Sequence, residues 1–124
     1  MPVTPPPKRV LVVDDELNVA DTLTAILCLR GYDAFELSSA EEALSWCHTH
    51  KPDVVITDVV MGGMNGIDLA KRLADFLPDC KVLLISGHIA TSPLIQDSIA
   101  GGYNFPILRK PVHPQQILDF LASI

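Results

Sequence analysis

The chain contains 124 residues, of which nine are basic and fifteen acidic, and 48% are hydrophobic. This length suits one domain with a single hydrophobic core and leaves no room for a second domain. The acidic balance, and the lack of a basic cluster on any predicted helix, argue against direct nucleic-acid binding, so action on DNA would require another chain or segment. No stretch is long and apolar enough to cross a membrane.

The cysteines and the N-terminal segment indicate the cellular context. Residues 1–7 include four prolines and no apolar signal-like core, so we expect a disordered lead-in and not a secretory signal, followed by one domain over residues 8–124. Cys28, Cys47 and Cys80 are odd in number and lie in or beside apolar segments, which is typical of reduced thiols used in packing. These features predict a cytoplasmic protein.

The first strand and the first helix follow the lead-in. The run Val10–Val13 is continuously apolar, as expected of a parallel strand that is covered on both faces. Apolar residues then recur at helical spacing, and Arg30 followed by Gly31 is a typical helix end, with a cation in the last turn and a glycine after it. The predicted apolar face of this helix consists of Val19, Leu23, Ile26 and Leu27.

The second strand and the second helix come next. The segment Tyr32–Leu37 predicts a short strand. Ser39 and Glu42 form a capping-box pattern, in which each side chain would satisfy a backbone N–H at the start of the helix. The apolar positions of this helix are Ala40, Ala43, Leu44 and Cys47.

The third strand, Val54–Thr57, leads into a glycine-rich connection. Gly62, Gly63 and Gly66 predict a flexible loop, because glycine restricts the backbone least. A third helix follows and stops at Pro78, since proline cannot continue a helix. Its predicted apolar stripe consists of Ala70, Leu73, Ala74 and Leu77.

The last third of the chain predicts two more pairs of a strand and a helix. The strands are Lys81–Ile85 and Phe105–Leu108. Between them, Ser92 and Pro93 are a typical N-cap and first helical residue for a short helix with a thin apolar stripe. The final helix starts at Pro114, and its apolar face consists of Ile117, Phe120, Leu121 and Ile124.

Five consecutive repeats of a strand and a helix predict an α/β fold. Because the crossover connections are right-handed, such repeats form a parallel sheet with helices on both faces. We expect a doubly wound, five-stranded sheet in the flavodoxin-like order 2-1-3-4-5, with the second strand at an edge. In such a sheet the ligand site lies beyond the carboxyl ends of the strands.

Polar side chains follow the ends of four of these strands. Asp14 and Asp15 end the first strand and Asp58 the third, so three carboxylates should share one pocket. Like charges that close repel each other unless a cation lies among them, and oxygen ligands favour Mg²⁺. Ser86 and Lys110 add a hydroxyl and an ammonium group at the ends of the fourth and fifth strands. Each residue alone is commonly structural, and their joint placement is what indicates chemistry.

These residues also give the chain its resemblance to a known family. Over residues 8–124 the sequence resembles the receiver domains of two-component response regulators. The bond between Lys110 and Pro111 is a candidate cis peptide, because cis costs little before proline. The segments that carry the resemblance are Val-Val-Asp14-Asp15-Glu16, Ile-Thr-Asp58-Val-Val-Met61-Gly-Gly-Met64-Asn65-Gly66, Leu-Ile-Ser86-Gly87-His88 and Lys110-Pro111.

The resemblance implies a phosphoacceptor signalling domain that is not an enzyme. By it, Asp58 accepts a phosphoryl group from a sensor histidine kinase or a phosphotransfer protein, and Ser86 and Lys110 contact the phosphoryl oxygens. Such a domain assists only its own phosphoryl transfer and dephosphorylation. It would signal to an output protein or domain outside this chain, with a phosphorylation-dependent homodimer as one option. The implied Mg²⁺ ligands are Asp14, Asp15, Asp58 and the backbone carbonyl of Val60.

Two positions depart from the family pattern. In the loop after Asp58, Gly62 and Gly63 stand where the family usually has proline, so this loop should be more mobile. Ile107 stands where the family commonly has an aromatic residue, which argues against the usual aromatic switch. We therefore expect the signal to pass through the loop after Ser86 to the face made by the last two helices and the fifth strand.

Other functions fit these residues less well. A phosphatase of the haloacid dehalogenase type needs a second Asp two residues after its nucleophile, where this chain has Val60. A flavodoxin needs a loop rich in Ser, Thr and Gly after the first strand, where three acidic residues would repel a phosphate. A receiver-like interaction module that does not turn over phosphate remains open. No two of the four histidines have the spacing of metal ligands on a predicted helix or strand, so we expect all four to face solvent. They are His48, His50, His88 and His113.

Overall fold

The computed structural model describes residues 6–87 and 92–124 and shows five strands that alternate with five helices. Within those two ranges, no helix has the length and apolar character needed to cross a membrane. Residues 1–5 of the predicted lead-in and residues 88–91, which include His88 and part of the loop after Ser86, lie outside the described residues. The strands are β1 (Arg9–Val13), β2 (Asp33–Leu37), β3 (Val54–Asp58), β4 (Lys81–Ser86) and β5 (Ile107–Arg109). The helices are α1 (Leu17–Leu29), α2 (Ala40–His50), α3 (Gly66–Phe76), α4 (Pro93–Ala100) and α5 (Pro114–Ser123).

The five strands form one parallel sheet in the order β2-β1-β3-β4-β5, which confirms the predicted fold. In the register, Val13 lies opposite Leu37 of β2 and Thr57 of β3. The carboxyl ends of β1 and β3 are therefore side by side. The chain winds outward in opposite directions from this pair, which is where a doubly wound sheet opens a crevice.

The sheet separates two hydrophobic cores. Successive residues of a strand point to opposite faces, and in β1 the side chains of Val10 and Val12 join one core while those of Leu11 and Val13 join the other. The first core is completed by α1 and α5, and the second by α2, α3 and α4. Burial of each such side chain contributes roughly 1.5–3 kcal/mol, so the two layers hold the strand ends firmly in place.

Side-chain caps start α2 and α3. Ser39 accepts the N–H of Glu42 at 3.1 Å, and Asn65 accepts the N–H of Asp68 at 2.8 Å. One half of the capping box predicted at Ser39 is confirmed, since the Ser39 side chain accepts the N–H of Glu42. The Glu42 carboxylate accepts the hydroxyls of Ser38 and Ser39 at 3.0 and 3.1 Å, because these donors lie within reach at the helix start.

Three side chains are more exposed than their patterns predict. Val19 of α1 is 48% exposed although it belongs to the predicted apolar face. Ala74 of α3 is exposed, and so is Cys28 of α1, which is therefore not a packing residue. The helical spacing predicted for α1 and α3 is confirmed, but fewer of their apolar side chains are buried in the core than the spacing suggests. The buried residues of α1 are Ala20, Leu23 and Leu27.

The fifth strand begins at Ile107, two residues later than the predicted start at Phe105. Pro106 accounts for the difference, because it has no N–H to donate to the sheet. Its carbonyl still accepts the N–H of Leu84 at 2.9 Å, which brings the chain alongside β4 before regular pairing starts.

Candidate functional site

Three carboxylates meet at the carboxyl edge of the sheet. Asp14 and Asp15 follow β1 and Asp58 ends β3, and one oxygen of each lies within 4.8 Å of the others. Asp14 and Asp58 are each only 7% exposed, whereas Asp15 is exposed. The structure thus brings together the three carboxylates that the sequence places at strand ends.

Backbone hydrogen bonds hold Asp14 in place. Its N–H donates to the carbonyl of Leu37 at 3.2 Å, and its carboxylate accepts the N–H of Glu16 at 2.9 Å. Burial raises the pKa of Asp14; the Glu16 N–H opposes this shift, and the negative charge of Asp58 adds to it. A cation in the pocket would therefore favour the ionised form of Asp14.

Lys110 balances part of this negative charge. Its Nζ lies 2.8 Å from Oδ2 of Asp58, and its peptide bond to Pro111 is cis, the form that the sequence allows. The N–H of Lys110 donates to the carbonyl of Ser86 at 3.0 Å, which ties the end of β5 to the end of β4. Burial lowers the pKa of Lys110, but the hydrogen bond from its ammonium to Asp58 and the charges of Asp58 and Asp14 outweigh burial and raise it.

Ser86 and Val60 are the other residues that the resemblance places in the site. Ser86 is the last residue of β4, is 3% exposed and lies opposite Arg109 of β5. Val60 lies two residues beyond Asp58 and is 66% exposed. Both residues thus lie at the same edge of the sheet as the carboxylates, and their contacts with a bound ion or phosphate stay predictions.

The backbone next to Asp58 requires a glycine at position 66. Gly66 is the buried first residue of α3, and its N–H donates to the carbonyl of Val59 at 2.9 Å. A Cβ at this position would collide with the carbonyl oxygen of Asp58 and lie 3.1 Å from Oγ1 of Thr57. The prediction that Gly66 belongs to a flexible loop is therefore wrong, because close packing of α3 on β3 selects this glycine.

Glu41 is a site neighbour that the sequence analysis missed. It lies in the first turn of α2, and its carboxylate accepts the N–H of Met64 at 2.6 Å. Asp15 accepts the N–H of Gly62, two residues earlier, at 3.3 Å. Acidic residues in a first turn are ordinarily explained by the helix dipole, so nothing in the sequence indicates a contact with a loop 23 residues further on.

A groove of about 660 Å³ opens beside the carboxylates, between α1 and the segment that joins β5 to α5. Its wall includes the apolar side chains of Val19, Leu23 and Ile117, and both Asp14 and Lys110 line it as well. This groove explains why Val19 is exposed, since α1 presents this residue to the groove and not to the core.

The donor set fits a hard divalent cation. Mg²⁺ prefers oxygen ligands, and the three carboxylates each offer one oxygen at mutual distances that a single ion can bridge. The ammonium of Lys110 lies against one of the same carboxylates. A cation and an ammonium group around Asp58 would together attract a phosphoryl group, whose own charge the carboxylates would otherwise repel.

Comparison with known proteins identifies the family. The family model of the response regulator receiver domain matches residues 10–122. The chain is 32% identical over 118 residues to the chemotaxis protein CheY of Thermotoga maritima, a match that covers 94% of this chain and 97% of CheY. It is 31% identical over 121 residues to the response regulator UvrY of Escherichia coli K12, a match that covers 94% of this chain and 53% of UvrY.

Solved structures show the same fold. A CheY-like receiver domain protein of Methanospirillum hungatei JF-1 matches with a TM-score of 0.85 at 25% identity, over 94% of this chain and 92% of that chain. The chemotaxis response regulator CheY4 of Vibrio cholerae matches with a TM-score of 0.80 at 25% identity, over 94% of this chain and 98% of that chain. With its sheet order and its cluster of carboxylates at the sheet edge, the chain belongs to the family of response regulator receiver domains.

Proposed function

We propose that this domain takes a phosphoryl group from a phosphohistidine onto Asp58 and thereby changes a contact with another protein. Receiver domains are signalling domains that interact with histidine kinases and output domains, and they generally bind Mg²⁺. The observation that carries the proposal is the 2.8 Å contact between Lys110 and Asp58, with oxygens of Asp14 and Asp15 within 4.8 Å of the Asp58 carboxylate.

Asp58 acts as the nucleophile in the proposed transfer. One of its carboxylate oxygens bonds to phosphorus while the P–N bond to the donor imidazole breaks, and the electron pair of that bond returns to the nitrogen, which takes up a proton. The product is a mixed anhydride on Asp58. Lys110 shifts its hydrogen bond to a phosphoryl oxygen, and the Ser86 hydroxyl donates to another.

The carboxylate side of the site would hold Mg²⁺. Asp14 is a preorganised ligand because its backbone N–H and its carboxylate are both hydrogen-bonded. Asp15 is exposed and can turn its carboxylate from Gly62 toward the ion. When bound, the ion supplies positive charge against which a phosphoryl group can approach the carboxylates. The ligands proposed are Asp14, Asp15, Asp58 and the backbone carbonyl of Val60.

The groove beside the site is the proposed docking surface for the phosphodonor. It leads to Asp14 and Lys110, and its volume of about 660 Å³ suits a few apolar side chains projecting from a helix. A sensor histidine kinase or a phosphotransfer protein that docks here would present its phosphohistidine to Asp58. The carboxylates of Asp14 and Glu16, which line the groove, and the ammonium of Lys110 would orient the approaching donor.

The face of α4, β5 and α5 is the proposed output surface. Leu94 and Ile99 of α4 are 39% and 56% exposed, so this face offers apolar side chains to a partner. It is linked to the site by the hydrogen bond from Lys110 to Ser86. Because Ile107 occupies the usual aromatic position, we propose that the loop after Ser86 transmits the change. The partner would be an output protein or domain outside this chain, or a second copy in a phosphorylation-dependent homodimer.

The domain is placed in the cytoplasm in this proposal. Its three cysteines are free thiols, which suits a reducing compartment, and Cys47 is buried in the core. The net charge of −6 would repel nucleic acid and acidic membrane surfaces, so we expect no direct contact with either.

All reactive groups of the proposed site act on the Asp58 side chain of the same molecule. The domain would therefore assist only its own phosphoryl transfer and dephosphorylation.

Intact-mass measurement tests the proposal. Incubation with acetyl phosphate and Mg²⁺ should add one phosphoryl group to the wild-type protein and none to Asp58→Asn. Asp75→Asn, which changes an exposed aspartate of α3, is the matched control and should gain phosphate like the wild type. Equal gain in Asp58→Asn would show that another residue is the acceptor. No gain in the wild type would favour the alternative of an interaction module that does not turn over phosphate.

A further inference from the structure

Two carboxylates hold the segment that follows β3. The N–H of Met64 donates to Oε1 of Glu41 at 2.6 Å, and the N–H of Gly62 donates to Oδ2 of Asp15 at 3.3 Å. Typical N–H···O distances are roughly 2.7–3.2 Å, and bonds to charged acceptors lie at the short end. The Glu41 contact is therefore the stronger of the two.

Gly63 leaves the space that Glu41 occupies. Its φ of 81° lies in the left-handed region, and a Cβ added there would lie 2.9 Å from Oε1 of Glu41. A side chain at position 63 would displace the carboxylate and strain the backbone. Gly63 thus makes room for the acidic side chain of Glu41, which extends from α2 to this loop.

We propose that Glu41 is a positioning residue for the metal and phosphoryl site, an inference that rests on the proposed function. The chain leaves the sheet after Val59, whose N–H donates to the carbonyl of Ile85 at 3.0 Å, and enters α3 at its N-cap, Asn65. Residues 60–64 lie between these two points, so hydrogen bonds to their backbone determine where the Val60 carbonyl lies.

Metal binding would change the hydrogen bond that Asp15 accepts and leave the one that Glu41 accepts unchanged. Asp15 is a proposed ligand, so its carboxylate turns toward the ion and its long bond to Gly62 weakens when the ion binds. Glu41 has no part in the ligand set and can keep its bond to Met64 in both states. Glu41 thus keeps the loop, and with it the Val60 carbonyl, in the same position when Mg²⁺ binds.

The test compares Glu41→Ala with Glu42→Ala. Glu42 is the neighbouring acidic residue in the first turn of α2, but its carboxylate contacts Ser38 and Ser39 and not the loop. Calorimetric titration with Mg²⁺ should show about tenfold weaker binding for Glu41→Ala than for the wild type, as is typical when a partner behind a metal ligand is removed. Without Mg²⁺, the Met64 amide should exchange about tenfold faster. Glu42→Ala should show neither change.

Two further variants separate positioning from charge and from folding. In Glu41→Gln the amide oxygen can still accept the Met64 N–H, so most of the Mg²⁺ affinity should return. Gly63→Ala keeps the charge of Glu41 but displaces its carboxylate, so affinity should fall. Gly31→Ala controls for the loss of a left-handed glycine, because its φ is 90° and its Cβ would meet nothing within 4 Å.

The outcomes are distinguishable from failure of the proposed function. Wild-type affinity in Glu41→Ala, or an equal loss in Glu42→Ala, would overturn the role of Glu41 while the metal site itself stands. If the wild-type protein binds no Mg²⁺ and gains no phosphate, the proposed function fails, and the inference about Glu41 falls with it.

Discussion

The ammonium group of Lys110 lies 2.8 Å from the carboxylate of Asp58, although 52 residues separate the two in the chain. Asp58 ends β3 and Lys110 follows β5, with β4 between their strands. The contact compensates a carboxylate that is only 7% exposed and has two further carboxylates beside it. We therefore expect Lys110 to stabilise the fold, and its ammonium group lies where the proposed phosphoryl transfer to Asp58 would need a cation.

Lys110→Ala should destabilise the domain. Asp58 would keep its buried charge without a counterion, which costs about 1–3 kcal/mol, and urea unfolding measures this loss. Lys81→Ala removes an exposed lysine at the start of β4 and should cost much less. Adding Asp58→Asn to Lys110→Ala should restore stability. If the double variant is as unstable as Lys110→Ala, the unpaired charge of Asp58 is not the cause of the destabilisation.

Asp15→Asn should abolish Mg²⁺ binding and leave the fold intact. An Asn oxygen can still accept the Gly62 N–H, and loss of one negative charge relieves repulsion with Asp14 and Asp58. The free energy of unfolding without Mg²⁺ should stay equal or rise by about 0.2–1 kcal/mol. Calorimetric titration and urea unfolding measure the two effects. Asp79→Asn, at an exposed site outside the cluster, should bind Mg²⁺ normally, and wild-type affinity in Asp15→Asn would contradict the ligand assignment.

The strand ends could be predicted because two simple patterns agree there. A continuous apolar run marks a buried parallel strand, and a charged or hydroxyl residue directly after it marks the carboxyl edge, as at Asp14, Asp58 and Ser86. The exact start of β5 could not be predicted from apolar residues alone. The apolar ring of Phe105 suggests a strand, but pairing depends on backbone donors, and Pro106 has none.

Gly66→Ala should be far more damaging than Gly62→Ala. A Cβ at position 66 would collide with the carbonyl of Asp58, and relief of this overlap would shift β3 or α3 at a cost of about 1–3 kcal/mol. A Cβ at position 62 would meet nothing within 4 Å, so thermal unfolding of that variant should resemble the wild type. Similar unfolding temperatures for both variants would show that the close approach at position 66 is not restrictive.

The thiols should differ sharply in reactivity. Cys28 is exposed, whereas burial raises the pKa of Cys47 to about 11 and that of Cys80 to about 12, from an ordinary value of 9.0. A colorimetric disulfide reagent used below pH 9.0 should modify one thiol in the native protein and three after unfolding in urea. Cys28→Ser should remove the fast phase. Cys47 is buried and Cys80 half-buried, and rapid modification of either thiol in that variant would contradict the raised pKa values.

The same shifts predict loss of stability in alkali. Because the folded pKa values of Cys47 and Cys80 lie above the unfolded value of 9.0, the neutral thiols stabilise the fold fully below pH 9.0. This contribution is lost as the pH rises through about 11 for Cys47 and about 12 for Cys80. Cys47→Ala should therefore show a smaller decrease in unfolding free energy above pH 9.0 than the wild type does, and an identical decrease would contradict the shift at Cys47.

Other features of the site could not be predicted because they depend on contacts between distant segments. Helical spacing placed Val19 on the apolar face of α1, but spacing cannot tell a core from a groove, and Val19 lines the groove. Glu41 has the position of an ordinary helix-start residue, and its contact with Met64 appears only when α2 and the loop after β3 are packed side by side. The place of Gly66 in α3 could not be predicted either, because it depends on the close approach of α3 to the Asp58 carbonyl of β3.

Chemical trapping can locate the phosphoryl group that we propose on Asp58. Borohydride reduces an aspartyl phosphate to homoserine, which peptide mass spectrometry can locate in the chain. After incubation with acetyl phosphate and Mg²⁺, we expect homoserine at position 58, and none when the metal is chelated beforehand. Homoserine at position 14 or 15, or its absence from position 58 in a sample that has gained phosphate, would contradict the role of Asp58 as the phosphoacceptor.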